Sequence, residues 1–293
     1  HNYANDCNSV HAQQRSSNRI TAHARGTSKQ NKVQQQQQQT MTSNTTAATP
    51  PNASLLDKKR LEKLGTRFNI DTMTKDQIRQ RFDKHSENWV AFTTEFKYFP
   101  VFHWIRRLVP QLPQHIVQRG KVFDLACGVG LVAKELRNSG LKGDIVGLDI
   151  SVGMLQKAFD TECYSSVMCH DLDNSLPFTS AQFDLVTCCG ATEMLASVDH
   201  FLSQVNRMLT EGGEAWITFQ HRTENQTNPI AHQGMREYST QEIETMMHRN
   251  GFHILDVTPT PEAYYLPSPT DSTQLVAIPF AMVRAKKSSS PLL

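Results

Sequence analysis

Val122-Phe-Asp-Leu-Ala-Cys-Gly-Val-Gly130 runs apolar into two glycines, and Leu131-Val-Ala-Lys-Glu135 follows at helical spacing as far as Gly140. A second apolar run closes on Asp149, about twenty residues further on. Strand, glycine turn, helix and a second strand ending in an acid predict a parallel sheet with a nucleoside-cofactor site at its carboxyl edge. Gly128 and Gly130 let the backbone approach a ligand where a Cβ would collide. Asp149 is placed to accept both ribose hydroxyl protons.

Outward from that unit the same alternation continues. Runs at Val122 to Leu125, Asp144 to Asp149, Ser166 to His170, Phe183 to Cys188 and Glu214 to Phe219 read as strands, several of them apolar throughout as strands covered on both faces should be. Ser151 can cap the helix after the second strand, and Leu202, Val205 and Leu209 share one face of another. Ser239 and Glu242 form a capping box, with Gly251 stopping that helix after Asn250. Phe252 to Val257 and Gln274 to Arg284 then follow without a helix between them, and such neighbours pair as a hairpin. The expected fold is an α/β, doubly wound, seven-stranded sheet, mostly parallel with an antiparallel C-terminal strand.

Gly128-Val-Gly-Leu-Val-Ala133 also fits the dinucleotide fingerprint, so the cofactor needs a second criterion. Asp124 supplies one. At the mouth of the first strand its carboxylate would oppose a pyrophosphate but favour the sulfonium and ammonium of S-adenosylmethionine.

These segments resemble the class I S-adenosylmethionine-dependent methyltransferases, of the type called methyltransferase domain 11 or 25, from about Gln77 to Lys287. Asp124-Leu-Ala-Cys-Gly-Val-Gly130 resembles the first motif, with Ala126 where glycine is usual, and Gly147-Leu-Asp-Ile-Ser151 resembles the ribose-binding segment. His170-Asp-Leu-Asp173, Phe183-Asp-Leu-Val186 and Arg207-Met-Leu-Thr-Glu-Gly-Gly213 resemble the later ones in the correct order. The resemblance implies a Rossmann-like fold and S-adenosylmethionine as cofactor. It implies a donor site of Asp124, Ala126, Cys127, Gly128, Gly130, Asp149 and Ile150, with Asp171 near the adenine amino group, Leu172 beside the ring and Cys188 in the loop after the fourth strand. Arg81 to Trp89 occupies the place of a helical cover, with Phe82, where relatives carry tyrosine, His85 and Trp89 over the methionine moiety.

Methyl transfer from a sulfonium mainly needs alignment and exclusion of water, so a base is optional. His170, Glu193, His200, His221 and Tyr238 are the candidates for one, and the catalytic residue stays unassigned. Cys188-Cys-Gly-Ala-Thr-Glu193 lacks the Asn-Pro-Pro-Tyr or Asp-Pro-Pro-Tyr that related enzymes use to hold a nucleobase or amide nitrogen. The acceptor expected is therefore a small molecule, with His221 to Gly234 lining or gating its pocket. A nicotinamide-dependent oxidoreductase and a non-catalytic cofactor-binding module are the competing readings.

Composition bounds the rest. The 293 residues are 38% hydrophobic and 20% charged with a formal net charge of +2, which excludes disorder throughout and gives no global field toward nucleic acid or an anionic membrane. Residues 1–54, rich in Gln, Asn and Ser with Gln34 to Gln39 a homopolymer, read as a disordered tail, or as an organelle transit peptide from their scattered basic residues. Residues 55–118 read as a helical lid segment, 119–287 as the methyltransferase domain and 288–293 as a flexible end. Six cysteines without a C-x-x-C pair point to reduced thiols and no metal, in a soluble, cytoplasmic protein without nucleic-acid, membrane or obligate protein partner.

Overall fold

The order of the strands follows from where each apolar run can find a partner. The computed structural model describes residues 73–223, 235–268 and 274–288. The expected tail, the first part of the lid segment and nearly all of the His221 to Gly234 loop lie outside these residues, as do 289–293. The described chain forms α1 (Lys75–His85), α2 (Trp89–Glu95), α3 (Phe99–Leu108), α4 (Gln114–Arg119), β1 (Lys121–Leu125), α5 (Leu131–Asn138), β2 (Asp144–Asp149), α6 (Val152–Asp160), β3 (Ser166–Cys169) and β4 (Phe183–Cys188). It continues with α7 (Val198–Met208), β5 (Leu209–Gln220), α8 (Thr240–Arg249), β6 (Phe252–Pro267) and β7 (Leu275–Lys287).

The strands make one seven-stranded sheet in the order β3-β2-β1-β4-β5-β7-β6. β3, β2, β1, β4 and β5 are parallel to one another, whereas β7 runs antiparallel to both β5 and β6. The direction of the chain from β1 reverses between β3 and β4, so the carboxyl ends of β1, β2 and β4 face a crevice at the point where such sheets bind ligands. The doubly wound sheet and its antiparallel C-terminal strand agree with the sequence reading.

Caps set the helix starts as the sequence indicated. Ser151 Oγ accepts from Met154 N at 3.1 Å, and Ser239 and Glu242 complete a capping box on α8. Two element lengths differ from expectation. β5 starts at Leu209 rather than at Glu214, the register against β4 jumping from Phe183↔Leu209 to Leu185↔Glu214 as the chain passes Gly212 at φ +71°. β6 continues past Val257 to Pro267, because β7 offers a partner along most of that length and the register shift between Thr260 and Tyr264 absorbs Pro261.

Two apolar layers hold the sheet. α3 is amphipathic and buries Val101, Trp104, Ile105 and Leu108 with Trp216, Phe280 and Met282 on one face. Phe123, Leu148, Phe201, Phe219 and Met247 fill the other. α3 is thus part of the sheet's core.

Candidate active site

The glycine turn takes its shape from left-handed backbone. Ala126, Gly128 and Gly130 have φ of +51°, +52° and +84°. An alanine in that region carries strain of roughly 1–2 kcal/mol, which the surrounding bonds must offset. Cys127 N donates to Leu148 O at 2.9 Å, and Gly128 N donates to Asp149 Oδ2 at 2.8 Å. Ser151 N donates to the other oxygen, Oδ1, at 2.9 Å. Asp149, only 7% exposed, therefore stitches the β1 turn to the β2 turn before any ligand arrives. Burial pushes its carboxyl up to about 6, with the backbone N–H groups of Ser151 and Gly128 pulling the other way.

Above the turn lies a cavity of about 1040 Å³, its open mouth included. Ala126, Cys127 and Gly128 line it from β1, and Asp149 and Ile150 from β2. His170, Asp171 and Leu172 line it from β3, and Cys189, Gly190 and Ala191 from β4. Phe82 and Trp89 cover it, with ring centroids 5.6 Å apart, and Trp89 stacks in turn on Phe92 at 4.9 Å. A Cβ built on Gly128 would stand 3.9 Å from Trp89 Nε1, inside the space between turn and cover.

The cover is fastened at both ends. Asp83 Oδ1 accepts from Ser151 Oγ at 2.6 Å and from Gly153 N at 2.9 Å, while Lys75 pairs with Asp173 and lies 3.7 Å from Asp171. Lys75 lines the cavity, but its charge is committed to these two carboxylates.

The structure does not bring Asp124 to the cavity. Its carboxylate is 1% exposed and accepts from Tyr164 Oη and Thr187 Oγ1, each at 2.7 Å, so both oxygens are used beneath the turn. Burial pushes it up to about 6, and the two hydroxyls pull it down. Its part is to hold Tyr164, whose ring lies 2.9 Å from the Cβ positions of both Gly130 and Gly147. Gly130 likewise serves this packing and the start of α5 rather than the cavity wall. The charge argument against a pyrophosphate consequently moves to Asp149, which both lines the cavity and occupies the Gly128 N–H that would otherwise face a phosphate.

Other candidates separate in the same way. Cys188 is fully buried behind the wall, where its neighbour Cys189 is the lining residue. His170 reaches the cavity, although its Nε2 is engaged by Ser175 O at 3.1 Å. His85 is not among the lining residues, and neither is His200, near the start of α7. His221 and Tyr238 form a bridge at the end of β5, away from the lining. Glu193 lies just behind it, 4% exposed, with its carboxyl pushed by burial up to about 7. Sequence reasoning missed Tyr164, Thr187, Asp83 and Lys75, since each acts through a partner forty or more residues away.

Two carboxylates, an apolar floor and an aromatic cover suit a nucleoside bearing a positive centre. Residues 123–217 match the family model described as methyltransferase domain. Over that stretch, from β1 into β5, the chain is similar to a methyltransferase domain. It is 32% identical over 142 residues to a demethylmenaquinone methyltransferase of Symbiobacterium thermophilum, an alignment covering 46% of this chain and 56% of that one. It is 29% identical over 126 residues to an 18S rRNA (guanine-N(7))-methyltransferase of Bos taurus, covering 39% and 44%. The chain thus spans about half the length of these curated relatives. Among solved structures, magnesium protoporphyrin IX methyltransferase of Synechocystis PCC 6803 with bound S-adenosylhomocysteine superposes with a TM-score of 0.55 at 16% identity, covering 73% of this chain and all of that one. At that identity the likeness speaks to the fold. Among the described residues no helix is long and apolar enough to cross a membrane, and no group of three or more His, Cys, Asp and Glu is placed to hold a metal.

Proposed function

We propose that this protein transfers the methyl group of S-adenosylmethionine to a small-molecule acceptor. The observation that carries the reading is the doubly engaged Asp149 carboxylate, which closes the glycine turn and still faces the cavity. A carboxylate has about four acceptor sites, and two backbone N–H groups leave room for ribose hydroxyls.

When bound, S-adenosylmethionine supplies a methyl carbon that its sulfonium has already activated for displacement. What remains for the chain is to bind, orient and keep water out. Asp149 would hold the ribose, Asp171 the adenine amino group, and Ile150 and Leu172 the faces of the ring. Phe82 and Trp89 would close over the methionine end, with Asp83 and Lys75 keeping α1 in place while the reaction proceeds. The acceptor would enter by Cys189–Ala191, at the end of β4. A concave, largely apolar space under a fastened cover favours a small molecule over a polymer.

The test is a thermal-shift comparison followed by a methyl-transfer assay with labelled donor. S-Adenosylhomocysteine should raise the melting temperature and NADH should not, and label should pass to a small molecule from a panel that also includes rRNA. Stabilisation by NADH alone would make the chain an oxidoreductase. Donor binding without turnover on the whole panel would make it a binding module.

A further inference from the structure

Just behind the acceptor side of the cavity lie buried polar atoms that the rest of the described structure leaves unmet. Glu193 follows the β4 loop directly, and its Oε2 is buried without a hydrogen-bond partner among the described residues. No cation pairs with it there either. Gln220, at the end of the neighbouring β5, is fully buried with its Oε1 likewise unmet, since its Nε2 donates to Glu237 Oε1 at 3.2 Å. Backbone bonds tie both to the segment 236–238: Arg236 N donates to Glu193 O and Tyr238 N to Gln220 O, both at 3.0 Å. The Thr192 and Thr218 hydroxyls fix the loop from below, Thr192 Oγ1 donating to Thr218 O and Gly190 N to Thr218 Oγ1, each at 2.8 Å.

The ionisable groups nearest Glu193 are hydroxyls and thiols. Its charge acts on Tyr98 and Cys189, which line the cavity, and on Tyr264, Tyr238 and Cys188 behind them. The Tyr98 and Tyr264 rings lie 4.6 Å apart, and Phe280 meets Tyr264 at 5.2 Å. The guanidinium of Arg236 is directed to Ala196 O and that of Arg222 to Glu242. Both unmet atoms are acceptors. A buried acceptor left unmatched costs about 1–3 kcal/mol, more when charged, so native chains nearly always satisfy such groups, and a catalytic role is one reason to keep an exception.

We propose that Glu193 and Gln220 define the acceptor subsite, that they select a substrate presenting an N–H or O–H donor, and that Glu193 takes up the proton this donor releases on methylation. Resting on the donor-site reading above, this goes further by naming the acceptor's chemical class and its catalytic residue. The acceptor's heteroatom forms its bond to the methyl carbon as the carbon–sulfur bond breaks with its electron pair on sulfur, and the heteroatom's proton passes to the Glu193 carboxylate. A carboxylate acceptor is disfavoured, because it would face the ionised Glu193 with no cation offsetting it and could bind well only with Glu193 protonated.

Naphthol and naphthoate, alike in body and opposite in the group they offer, test this on the full chain loaded with S-adenosylhomocysteine. Wild type should bind naphthol about tenfold more tightly than naphthoate, and Glu193→Gln should lose that preference, while both proteins bind S-adenosylhomocysteine equally. Naphthoate binding as tightly as naphthol, a preference that survives Glu193→Gln, or no binding of either at millimolar concentration would overturn the proposal. Failure of wild type to bind S-adenosylhomocysteine would instead count against the methyltransferase reading itself.

Discussion

The two sides of the cavity are finished to different degrees. On the donor side, Asp149, Asp83, Asp171 and Lys75 all have partners within the protein, and several of those partners are backbone N–H groups. Behind the acceptor side, Glu193 and Gln220 are more deeply buried than Asp83, Asp171 or Lys75 and keep acceptors unmet among the described residues. A preorganised donor site suits a ligand shared by a whole family. An incompletely satisfied acceptor site is where one chain differs from the next. The contrast also separates two kinds of buried carboxylate, Asp149 facing ligand and Asp124 facing protein.

Replacing Asp149 should break the donor side most severely. Asp149→Ala removes the ribose acceptor and unties the glycine turn, and should weaken S-adenosylhomocysteine binding by on the order of 2 kcal/mol or more, about thirtyfold, by calorimetry. Gly130→Ala comes next. Its φ of +84° and a Cβ 2.9 Å from the Tyr164 ring should lower stability by roughly 1–3 kcal/mol in denaturant unfolding.

The pH dependence sharpens the comparison. In the free protein Asp149 is pushed up to about 6, and ribose hydroxyls donate to its ionised form. Affinity for S-adenosylhomocysteine should therefore fall about tenfold between about pH 7 and about pH 5. Stability should move oppositely. A carboxyl whose folded value is raised binds more protons folded than unfolded, so its contribution is present at low pH and lost as pH rises through about 6. Asp124→Asn should flatten part of that slope, while changing S-adenosylhomocysteine affinity by less than about threefold. A loss comparable to that of Asp149→Ala would return Asp124 to the donor site. Ala126→Gly should have the smallest effect, a change in stability within about 1 kcal/mol, because relief of the strain at φ +51° is offset by the greater freedom of glycine when unfolded.

Local features were legible in the sequence. The glycine turn, the Ser151 and Ser239 caps, the apolar strands and the final hairpin each depend on residues a few positions apart, and each stands where periodicity and turn chemistry put it. Contacts closed over longer separations were not. Asp124 sits at the mouth of β1 as expected, yet the direction of its side chain is set by Tyr164 and Thr187, 40 and 63 residues away. Lys75 and Asp83 look like ordinary charges of an amphipathic helix until the fold lays α1 against the β2 and β3 loops. The exchange of Cys188 for Cys189 as lining residue reflects strand alternation at the edge of the sheet, where one position decides which side chain faces inward.

A crystal structure with S-adenosylhomocysteine tests the central claim most directly. The account predicts both ribose hydroxyls on the Asp149 carboxylate, the adenine against Leu172 and Ile150, and the sulfur beneath Trp89 and toward Gly190. A ligand seated with its ribose remote from Asp149, or a protein that instead takes a nicotinamide dinucleotide with its pyrophosphate over Gly128, would contradict it.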